Sequence, residues 1–235
     1  MEILPFVVDY WKLFADKVIV YDNYSTDKSV EYLQQFGDWI EVRHFETRGQ
    51  DNAAIRDIKN KVWKDDDADW IVISDLDECL FAKDGIKNVL EAYDKGGIGL
   101  IYPSWYVLVS DEKPVYDGRL LHEIRPNWYH NQNEAKPLIF KPKYFEEMNF
   151  SAGQHKCSPT YKERCSTLKG GAIYCLHTEG RLSPEYYLAK CHMRATRRSP
   201  SDIKYHFGTH YGKSDSQIMS QWNKFKSGAE TLDFK

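Results

Sequence analysis

The stretch WIVISDLDECLF, residues 70–81, constrains the fold of this chain more than any other segment. It runs from Trp70 and three β-branched residues into the carboxylates of Asp75, Asp77 and Glu78, and then returns to apolar residues. A short apolar run of this kind is typical of a central strand in an α/β sheet. Because open α/β sheets bind ligands beyond the carboxyl ends of their strands, the sequence predicts a binding site at these carboxylates.

Helix-like and strand-like segments alternate along the first 109 residues. Apolar residues at helical spacing predict helices, and short β-branched runs between turn residues predict strands. The predicted helices cover 3–14, 27–35, 51–63 and 84–95, and the predicted strands cover 17–21, 39–42, 70–74 and 98–109. This order indicates βαβ units, and therefore an α/β fold with a mostly parallel sheet flanked by helices.

The pattern becomes looser after Ser110, where Pro, Asn and Tyr are frequent. Further strands are predicted at 137–140 and 172–175, and further helices at 184–196 and 214–226. A chain of 235 residues with 42% hydrophobic content can bury one large core. We therefore expect a single domain over 1–235, with a first half that ends near residue 110 and a second half from 111.

The charge is distributed unevenly between the two parts of the chain. Residues 1–94 hold 21 Asp and Glu against 11 Lys and Arg, a balance of −10, while residues 95–235 hold 14 against 21, a balance of +7. An acidic half that holds a divalent cation and a basic half that holds phosphate would suit a metal–nucleotide ligand. We expect no nucleic-acid partner.

The cysteine pattern and the apolar runs predict the compartment. The five cysteines are odd in number and form no CxxC pair, which argues against a disulfide framework or a zinc ribbon. No signal peptide opens the chain, and no apolar run approaches the roughly 20 residues of a membrane span. The prediction is a cytoplasmic protein without a transmembrane segment, with peripheral membrane contact left open. The oligomeric state is not predicted.

Asp75 and Asp77 are the first candidate ligand residues. Two carboxylates that follow a buried strand at this spacing can turn toward one hard cation such as Mg²⁺ or Mn²⁺. Carboxylates that emerge from an apolar layer lower the stability of the fold unless a cation or hydrogen-bond donors compensate their charge.

The segment VIVYDNYSTD, residues 18–27, is the second candidate. Its later polar residues suit a turn and a helix cap, but Asp22 ends a strand, where it can bind a base or a ribose.

These two motifs together resemble the GT-A-fold glycosyltransferases, and specifically their family 2-like group. In that group a DNxSxD turn, here DNYSTD at 22–27, precedes an acidic DxDE motif, here DLDE at 75–78. The resemblance covers most of residues 2–198, and its specificity lies in the order of the motifs. Further matching segments are EILPF at 2–6, RGQ at 48–50 with Ala53 and Ala54, KPLIFKP at 136–142, and Leu176-His177 with Ser183, Glu185, Tyr186 and Lys190.

The resemblance implies a GT-A (Rossmann-like) fold and a metal-dependent transfer of a sugar from a nucleotide-diphosphate donor, by default a UDP-sugar, to a hydroxyl acceptor in glycan or polysaccharide synthesis. It also implies a hexosyltransferase-type enzyme, with residues 1–110 on the donor side and 111–235 on the side of a glycan, glycolipid or glycoprotein acceptor. By resemblance, Asp22 and Asn23 contact the base or ribose, Asp75 the ribose or metal, and Asp77 the metal. His177 would complete the coordination of Mn²⁺ or Mg²⁺.

The implied chemistry requires two further kinds of residue. Negative charge builds up on the departing nucleoside diphosphate, and the basic candidates to stabilise it are Arg48, Lys190, Arg194 and Arg197. An inverting transfer, which the likeness implies, needs a general base near the acceptor hydroxyl. His155, which follows a glycine in the polar loop GQHK, is the first candidate, and Glu123 is the second.

The sequence departs from the group's pattern in two ways. Members of the group have a complete strand before the first helix, whereas this sequence begins at Met1-Glu2. Cys79 replaces the usual aromatic residue after the acidic motif, and Thr178 replaces the usual tyrosine after His177, which weakens the assignment of that histidine.

Aromatic and histidine-rich segments supply weaker candidates. Rings at Trp105-Tyr106 and Trp128-Tyr129-His130 could stack on sugar faces, with core packing as the alternative. YHFGTHYG, with His206, His210 and Tyr211, could line the same cleft. Its HxxxH spacing would suit zinc only on a helix, which Gly208 disfavours.

Two other functions remain open at this point. The stretch IVISDLDECL also resembles the DxDxT motif of haloacid-dehalogenase-like phosphatases, in which Asp75 would be the nucleophile and Asp77 the acid/base. That chemistry needs a later acidic pair for magnesium, and after Asp117 the only aspartates are isolated. A non-catalytic nucleotide- or carbohydrate-binding domain is the other alternative, but a decayed site has no reason to retain both carboxylates.

Overall fold

A computed structural model describes residues 2–47, 49–178 and 181–232, and excludes the side chains of His210 and Tyr211. The helices are α1 (Leu4–Lys12), α2 (Ser29–Gln34), α3 (Asn52–Lys61), α4 (Ile86–Lys95), α5 (Leu121–Ile124), α6 (Pro184–Thr196), α7 (Pro200–Lys204) and α8 (Asp215–Ser227). The strands are β1 (Val18–Asp22), β2 (Ile40–His44), β3 (Ile71–Val72), β4 (Glu78–Phe81), β5 (Ile98–Leu108), β6 (Asn127–His130), β7 (Ile139–Phe140), β8 (Phe145–Glu147), β9 (Thr160–Tyr161), β10 (Ser166–His177) and β11 (Glu230–Thr231). Among the described residues, no helix is both long enough and apolar enough to cross a membrane.

The first two strands form a small parallel sheet. β1 pairs with β2 in a register that places Asp22 opposite His44 at the carboxyl ends of both strands. Leu4 and Val8 of α1 pack with Leu33 of α2 and Ile40 of β2 in one apolar cluster. The small sheet therefore presents its polar strand ends together, as expected for parallel strands joined by a helix.

A seven-stranded sheet is built around β5. This strand pairs in parallel with β10, over the longest ladder of the sheet, and antiparallel with β6 and β7. β4 pairs with β10, β3 with β7 and β11 with β6, all antiparallel. The predicted α/β fold with helices flanking the sheet is confirmed. Parallel pairing is found in β1–β2 and β5–β10, while the short strands that complete the larger sheet run antiparallel.

The acidic stretch at 70–81 forms two short strands rather than one strand and a loop. β3 ends at Val72, and β4 begins at Glu78, so the predicted strand 70–74 is shorter than expected and β4 was missed. The chain turns between them because the backbone N–H of Glu78 donates to the Asp75 carbonyl and the N–H of Asp75 donates to the Glu78 carboxylate. The carboxylates of Asp75 and Asp77 therefore lie in a bend closed by local hydrogen bonds.

Side-chain caps set the starts of the two helices that reach this bend. The Asp51 carboxylate accepts hydrogen bonds from the N–H groups of Ala53 and Ala54 at the start of α3. The Ser183 hydroxyl accepts from Tyr186 N–H at the start of α6, where Pro184 supplies a favourable first residue. Both helices were predicted, and their caps lie within one residue of the predicted starts.

Candidate active site

An open cleft of about 130 Å³ lies where α3, the β3–β4 bend, the loop at 151–153 and α6 meet. Both bend aspartates line it, together with residues of the two helices. Its lining includes Lys59, Asp75, Asp77, Gly153 and Arg194. The cleft therefore joins residues from both halves of the chain, which are separated by more than a hundred positions in sequence.

Asp75 is held between two lysines. Its Oδ1 lies 2.6 Å from Lys59 Nζ, and its Oδ2 lies 3.0 Å from Lys136 Nζ. Burial alone would raise the pKa of the Asp75 carboxyl, but the two ammonium groups hold that pKa well below its usual range. Asp75 is therefore ionised. Its side chain is 42% exposed and lines the cleft, so the carboxylate is accessible from the cleft.

Glu78 and Lys136 form a buried ion pair behind Asp75. Their side chains are almost fully buried, and the Lys136 ammonium contacts the Glu78 carboxylate. Burial and the nearby Asp75 raise the pKa of Glu78. Burial opposes the charged form of Lys136, but Asp75 and Glu78 more than offset it and raise the pKa of the ammonium. The pair holds the bend through hydrogen bonds to Asp75, whose backbone N–H donates to Glu78 and whose carboxylate accepts from Lys136. The centre of the Trp105 ring lies 5.6 Å from Lys136 Nζ.

Asp77 is buried and faces α6. Its Oδ2 lies 3.1 Å from Lys190 Nζ and 3.6 Å from the Arg194 guanidinium, two residues that share one face of the helix. His177, at the end of β10, places Nε2 3.7 Å from Asp77 Oδ1. Burial would raise the pKa of Asp77, but Lys190, His177 and Arg194 hold it well below its usual value.

The two aspartates and His177 are brought together, but not as a closed metal cage. Among the described residues, no group of three or more His, Cys, Asp or Glu side chains is arranged to hold a metal ion. Mg²⁺ sites commonly use one or two protein carboxylates plus substrate phosphates and water. Asp75 and Asp77 fit a cation of that kind, which shares its coordination with a bound ligand. His177 packs edge-on against Trp105, with ring centroids 5.0 Å apart.

The predicted nucleotide residues Asp22 and Asn23 follow β1. Asp22 is buried, and its carboxylate accepts from Ser25 N–H at 3.0 Å and lies 3.3 Å from His44 Nδ1. Asn23 donates to the Thr47 hydroxyl and accepts from Thr47 N–H. These bonds tie the loop after β1 to the loop after β2, which continues to the cleft.

An exposed aromatic pair lies beside Asp22. Tyr24 is 60% exposed and stacks on His44, with ring centroids 5.2 Å apart and planes 19° from parallel. Tyr24 also has φ of +52°, a left-handed conformation that is unusual for a non-glycine residue. The end of the small sheet thus presents a flat ring next to a buried carboxylate.

The loop at 151–156 is anchored beside the bend by Gln154. The Gln154 amide donates to the carbonyls of Ile73 and Pro137, and its oxygen accepts from Lys59. Gly153 has φ of +71°, and a Cβ there would meet the ring of His155. His155 Nδ1 lies 2.6 Å from Glu134 Oε1. The first candidate for the general base therefore lies next to Gly153, which lines the cleft, but is not itself among the cleft-lining residues.

Other predicted residues lie elsewhere. Glu123 is exposed and is not among the cleft-lining residues. Its carboxylate instead accepts a hydrogen bond from Leu120 N–H at the start of α5. Arg197 ends α6, and its guanidinium is directed to Met193 Sδ. Arg48 and the side chains of His210 and Tyr211 lie outside the described residues, and His206 is exposed.

For both tryptophans, the structure favours core packing over sugar stacking, the two alternatives that the sequence left open. Trp105 and Trp128 are 2% and 0% exposed, so core packing explains them and they offer no face to a sugar. Tyr106 and His130 stack on each other at 4.6 Å.

Sequence reasoning missed Lys59, Lys136, Gln154 and Glu134. Lys59 could have been found, because Asn52, Ile55, Arg56 and Lys59 recur at helical spacing after the cap Asp51 and all line the cleft. Lys136 and Gln154 carry no such signal, since their partners come from distant segments.

Comparison with known proteins finds a family match for this chain. The sequence model of the family described as Glycosyl transferase family 2 matches residues 7–158, about two thirds of the chain, which include β1, the acidic bend and His155. This match argues against the phosphatase alternative. No curated protein matches the chain. The chain belongs to glycosyl transferase family 2.

Proposed function

We propose that this protein transfers a sugar from a nucleotide-diphosphate sugar to a hydroxyl acceptor with inversion at the anomeric carbon. Family membership supports glycosyl transfer, and the charge balance of the cleft supports the kind of donor. Around the bend, the carboxylates of Asp75, Asp77 and Glu78 face the cationic side chains of Lys59, Lys136, Lys190 and Arg194. The four cations exceed the three carboxylates by one charge, and this surplus is the observation that carries the proposal, because it favours an anionic group in the cleft.

The diphosphate is the part of the donor that the cleft would bind. Lys59 of α3 and Arg194 of α6 both line the cleft, and Lys190 lies one helical turn before Arg194. Arginine and lysine side chains stabilise phosphate oxygens through charge-assisted hydrogen bonds. In the reaction, they would stabilise the charge that accumulates on the departing nucleoside diphosphate.

Asp75 and Asp77 would hold Mg²⁺ or Mn²⁺ together with the donor's phosphates. When bound, the cation would supply charge neutralisation at the leaving diphosphate. The same carboxylate oxygens now contact Lys190, Arg194 and the lysines at Asp75, so the cation and these side chains compete for them. His177 is proposed as a third protein ligand, which requires movement of these side chains, because no three such side chains among the described residues are arranged around a metal position.

The nucleoside would bind at the end of the small sheet. Asp22 would accept hydrogen bonds from a base or ribose, and Tyr24 presents an exposed ring beside it. Aromatic stacking and a carboxylate acceptor suit a uracil with its N–H donor. A UDP-sugar is therefore the proposed donor class.

The acceptor would approach the rim of the cleft at His155, which is proposed as the general base. The acceptor is proposed to be a glycan, glycolipid or glycoprotein hydroxyl, with a hexose as the transferred sugar. The proposed location is the cytoplasm, with synthesis of a polysaccharide or glycan as the process.

Thermal unfolding with a panel of UDP-sugars, each with and without Mn²⁺, tests this proposal. A ligand that binds only the folded chain raises its melting temperature. We expect at least one UDP-sugar to stabilise the protein with Mn²⁺, and Asp77→Ala to abolish the metal-dependent part of that shift. Asp67→Ala, in an exposed acidic loop, is the matched control and should leave the shift unchanged. Stabilisation that is equal in Asp77→Ala and in the wild type contradicts the proposed donor site.

A second measurement separates transfer from binding alone. A working site should slowly release UDP from the stabilising donor, whereas a non-catalytic binding domain should bind it without release. If no stabilising UDP-sugar releases UDP, with or without an added acceptor, the binding-domain alternative is favoured.

A further inference from the structure

Glu134 and His155 form a carboxylate–imidazole pair beside Gly153, a residue that lines the cleft. Glu134 Oε1 lies 2.6 Å from His155 Nδ1, a short hydrogen-bond distance. The Glu134 side chain is 31% exposed and that of His155 is 56% exposed. Glu134 lies in the segment before Lys136, and neither the motifs nor the charge pattern of the sequence pointed to it.

The protonation state of Glu134 determines which nitrogen of His155 carries the proton. The hydrogen bond from His155 is the largest influence that lowers the pKa of Glu134; burial opposes it, and the nearby Lys136 ammonium lowers the pKa further. An ionised carboxylate can only accept hydrogen bonds, so Nδ1 must be the donor in this contact. In the neutral imidazole, the lone pair then resides on Nε2.

The Nε2 edge of the His155 ring lies against Gly153, which lines the cleft. A Cβ on Gly153 would lie 2.9 Å from His155 Nε2 and 2.8 Å from Cδ2, so this edge of the ring lies over the glycine. Gly153 itself lines the cleft with Asp75 and Asp77. Gln154, between the two residues, is 1% exposed and is bonded to Ile73, Pro137 and Lys59. The bonds of Gln154 therefore hold the backbone of this loop, and with it the backbone of His155, next to the cleft.

We propose that Glu134 is a positioning residue for the transfer reaction, which holds His155 in the Nδ1-protonated tautomer with the Nε2 lone pair directed toward the acceptor side of the cleft. This inference rests on the proposed function. A carboxylate that orients an imidazole in this way also stabilises the imidazolium that forms when the base takes a proton.

Glu134 assists a step in which the acceptor loses one proton and the anomeric carbon exchanges its bond to the phosphate oxygen for a bond to the acceptor oxygen. The acceptor hydroxyl gives its proton to His155 Nε2 while its oxygen forms a bond to the anomeric carbon of the donor sugar. The bond between that carbon and the phosphate oxygen breaks, and its electron pair leaves with the nucleoside diphosphate. The imidazolium, paired with the Glu134 carboxylate, then returns its proton to solvent.

Long-range ¹H–¹⁵N NMR of the full chain tests the positioning without any substrate, because the two ring nitrogens have distinct shifts in each tautomer. The His155 signals are assigned by comparison with His155→Gln, at a pH where the spectrum itself shows the neutral imidazole. We expect the Nδ1–H form in the wild type and in Glu146→Ala, an exposed carboxylate control. Glu134→Ala should shift His155 toward the Nε2–H form. An Nε2–H form in the wild type, or an unchanged tautomer in Glu134→Ala, overturns the proposal.

Kinetics of UDP release from the stabilising UDP-sugar tests whether the pair acts in the reaction. We expect Glu134→Ala to lower kcat about 10- to 100-fold with little change in the donor KM, and Glu134→Asp to recover part of the loss. An unchanged kcat in Glu134→Ala overturns the proposal. If the wild type releases no UDP at all, the proposed function fails, and the NMR result still decides whether Glu134 positions His155.

Discussion

At the scale of single residues, buried charges around the acidic bend determine what can be substituted. Lys136 is 5% exposed and is the cation shared by Glu78 and Asp75. Breaking a buried ion pair by removing one partner is strongly destabilising, because the remaining charge stays buried without compensation. Lys136 therefore stabilises the folded bend even when no ligand is bound.

Lys136→Met should lower the free energy of unfolding by about 3–5 kcal/mol, since Glu78 loses its partner. Urea denaturation monitored by circular dichroism measures this loss. Lys17→Met removes an exposed partner of Glu41 and should change the same free energy by less than about 1 kcal/mol. Similar losses in the two variants would show that Lys136 is not a structural cation.

His122 makes the stability depend on pH. It is 7% exposed, its Nδ1 lies 2.7 Å from the Tyr10 hydroxyl, and the ring of Phe81 lies 4.4 Å away. Burial lowers the pKa of His122 to about 4, although Glu123 opposes the shift slightly. The unfolded chain therefore binds this proton from about pH 6.5 downward, before the folded chain does.

The sign follows from proton linkage. Between about pH 6.5 and pH 4 the unfolded state holds more protons at this site, so stability rises with pH and is lost as the pH falls, by up to about 3 kcal/mol. Unfolding free energies measured from pH 7 to pH 4 should show this loss, and His122→Gln should flatten the curve in that window. An equally steep curve in His122→Gln would contradict the assignment.

At the scale of elements, the sequence predicted those segments whose periodicity is long and whose caps are local. α6 was predicted at its observed bounds, and α3 and α4 within two residues, because Asp51 and Ser183 supply caps that are readable from sequence. β4 and β6 were missed because they are four-residue strands that exist through pairing with distant strands. The predicted division of the chain at residue 110 remains a prediction.

The position of α3 depends on a buried aspartate from the C-terminal part of the chain. Asp202, which is 1% exposed, accepts hydrogen bonds from the backbone N–H and the side-chain amide of Asn52. It thus holds the first turn of α3 against α7. Because α3 carries Lys59 to Asp75, Asp202 also affects the cleft.

Asp202→Ala should lower the unfolding free energy by about 1–3 kcal/mol, because the Asn52 donors lose their acceptor. Hydrogen exchange should show faster exchange of the first-turn amides of α3, and the thermal shift with a UDP-sugar should decrease. Asp65→Ala, in the exposed loop after α3, should do neither. Unchanged exchange in α3 would show that Asp202 does not fix this helix.

At the scale of the whole molecule, the site unites parts of the chain whose proximity the sequence does not reveal. The acidic pair, Asp22 and the two cations of α6 could be proposed from motifs and resemblance, and the structure places both α6 cations on Asp77. Lys59, Lys136 and Glu134 could not be assigned, because their roles arise from long-range contacts with Asp75, Glu78 and His155. Sequence reasoning therefore recovers the acidic centre more readily than its counterions.

A crystal structure of the protein with a UDP-sugar and Mn²⁺ would decide whether the cleft is a donor site. We predict that the diphosphate lies in the cleft, with Asp77 facing the cation and the side chains of Lys190 or Arg194 within hydrogen-bond distance of phosphate oxygens. A donor bound elsewhere, or a diphosphate that contacts none of these residues, would contradict the proposed site.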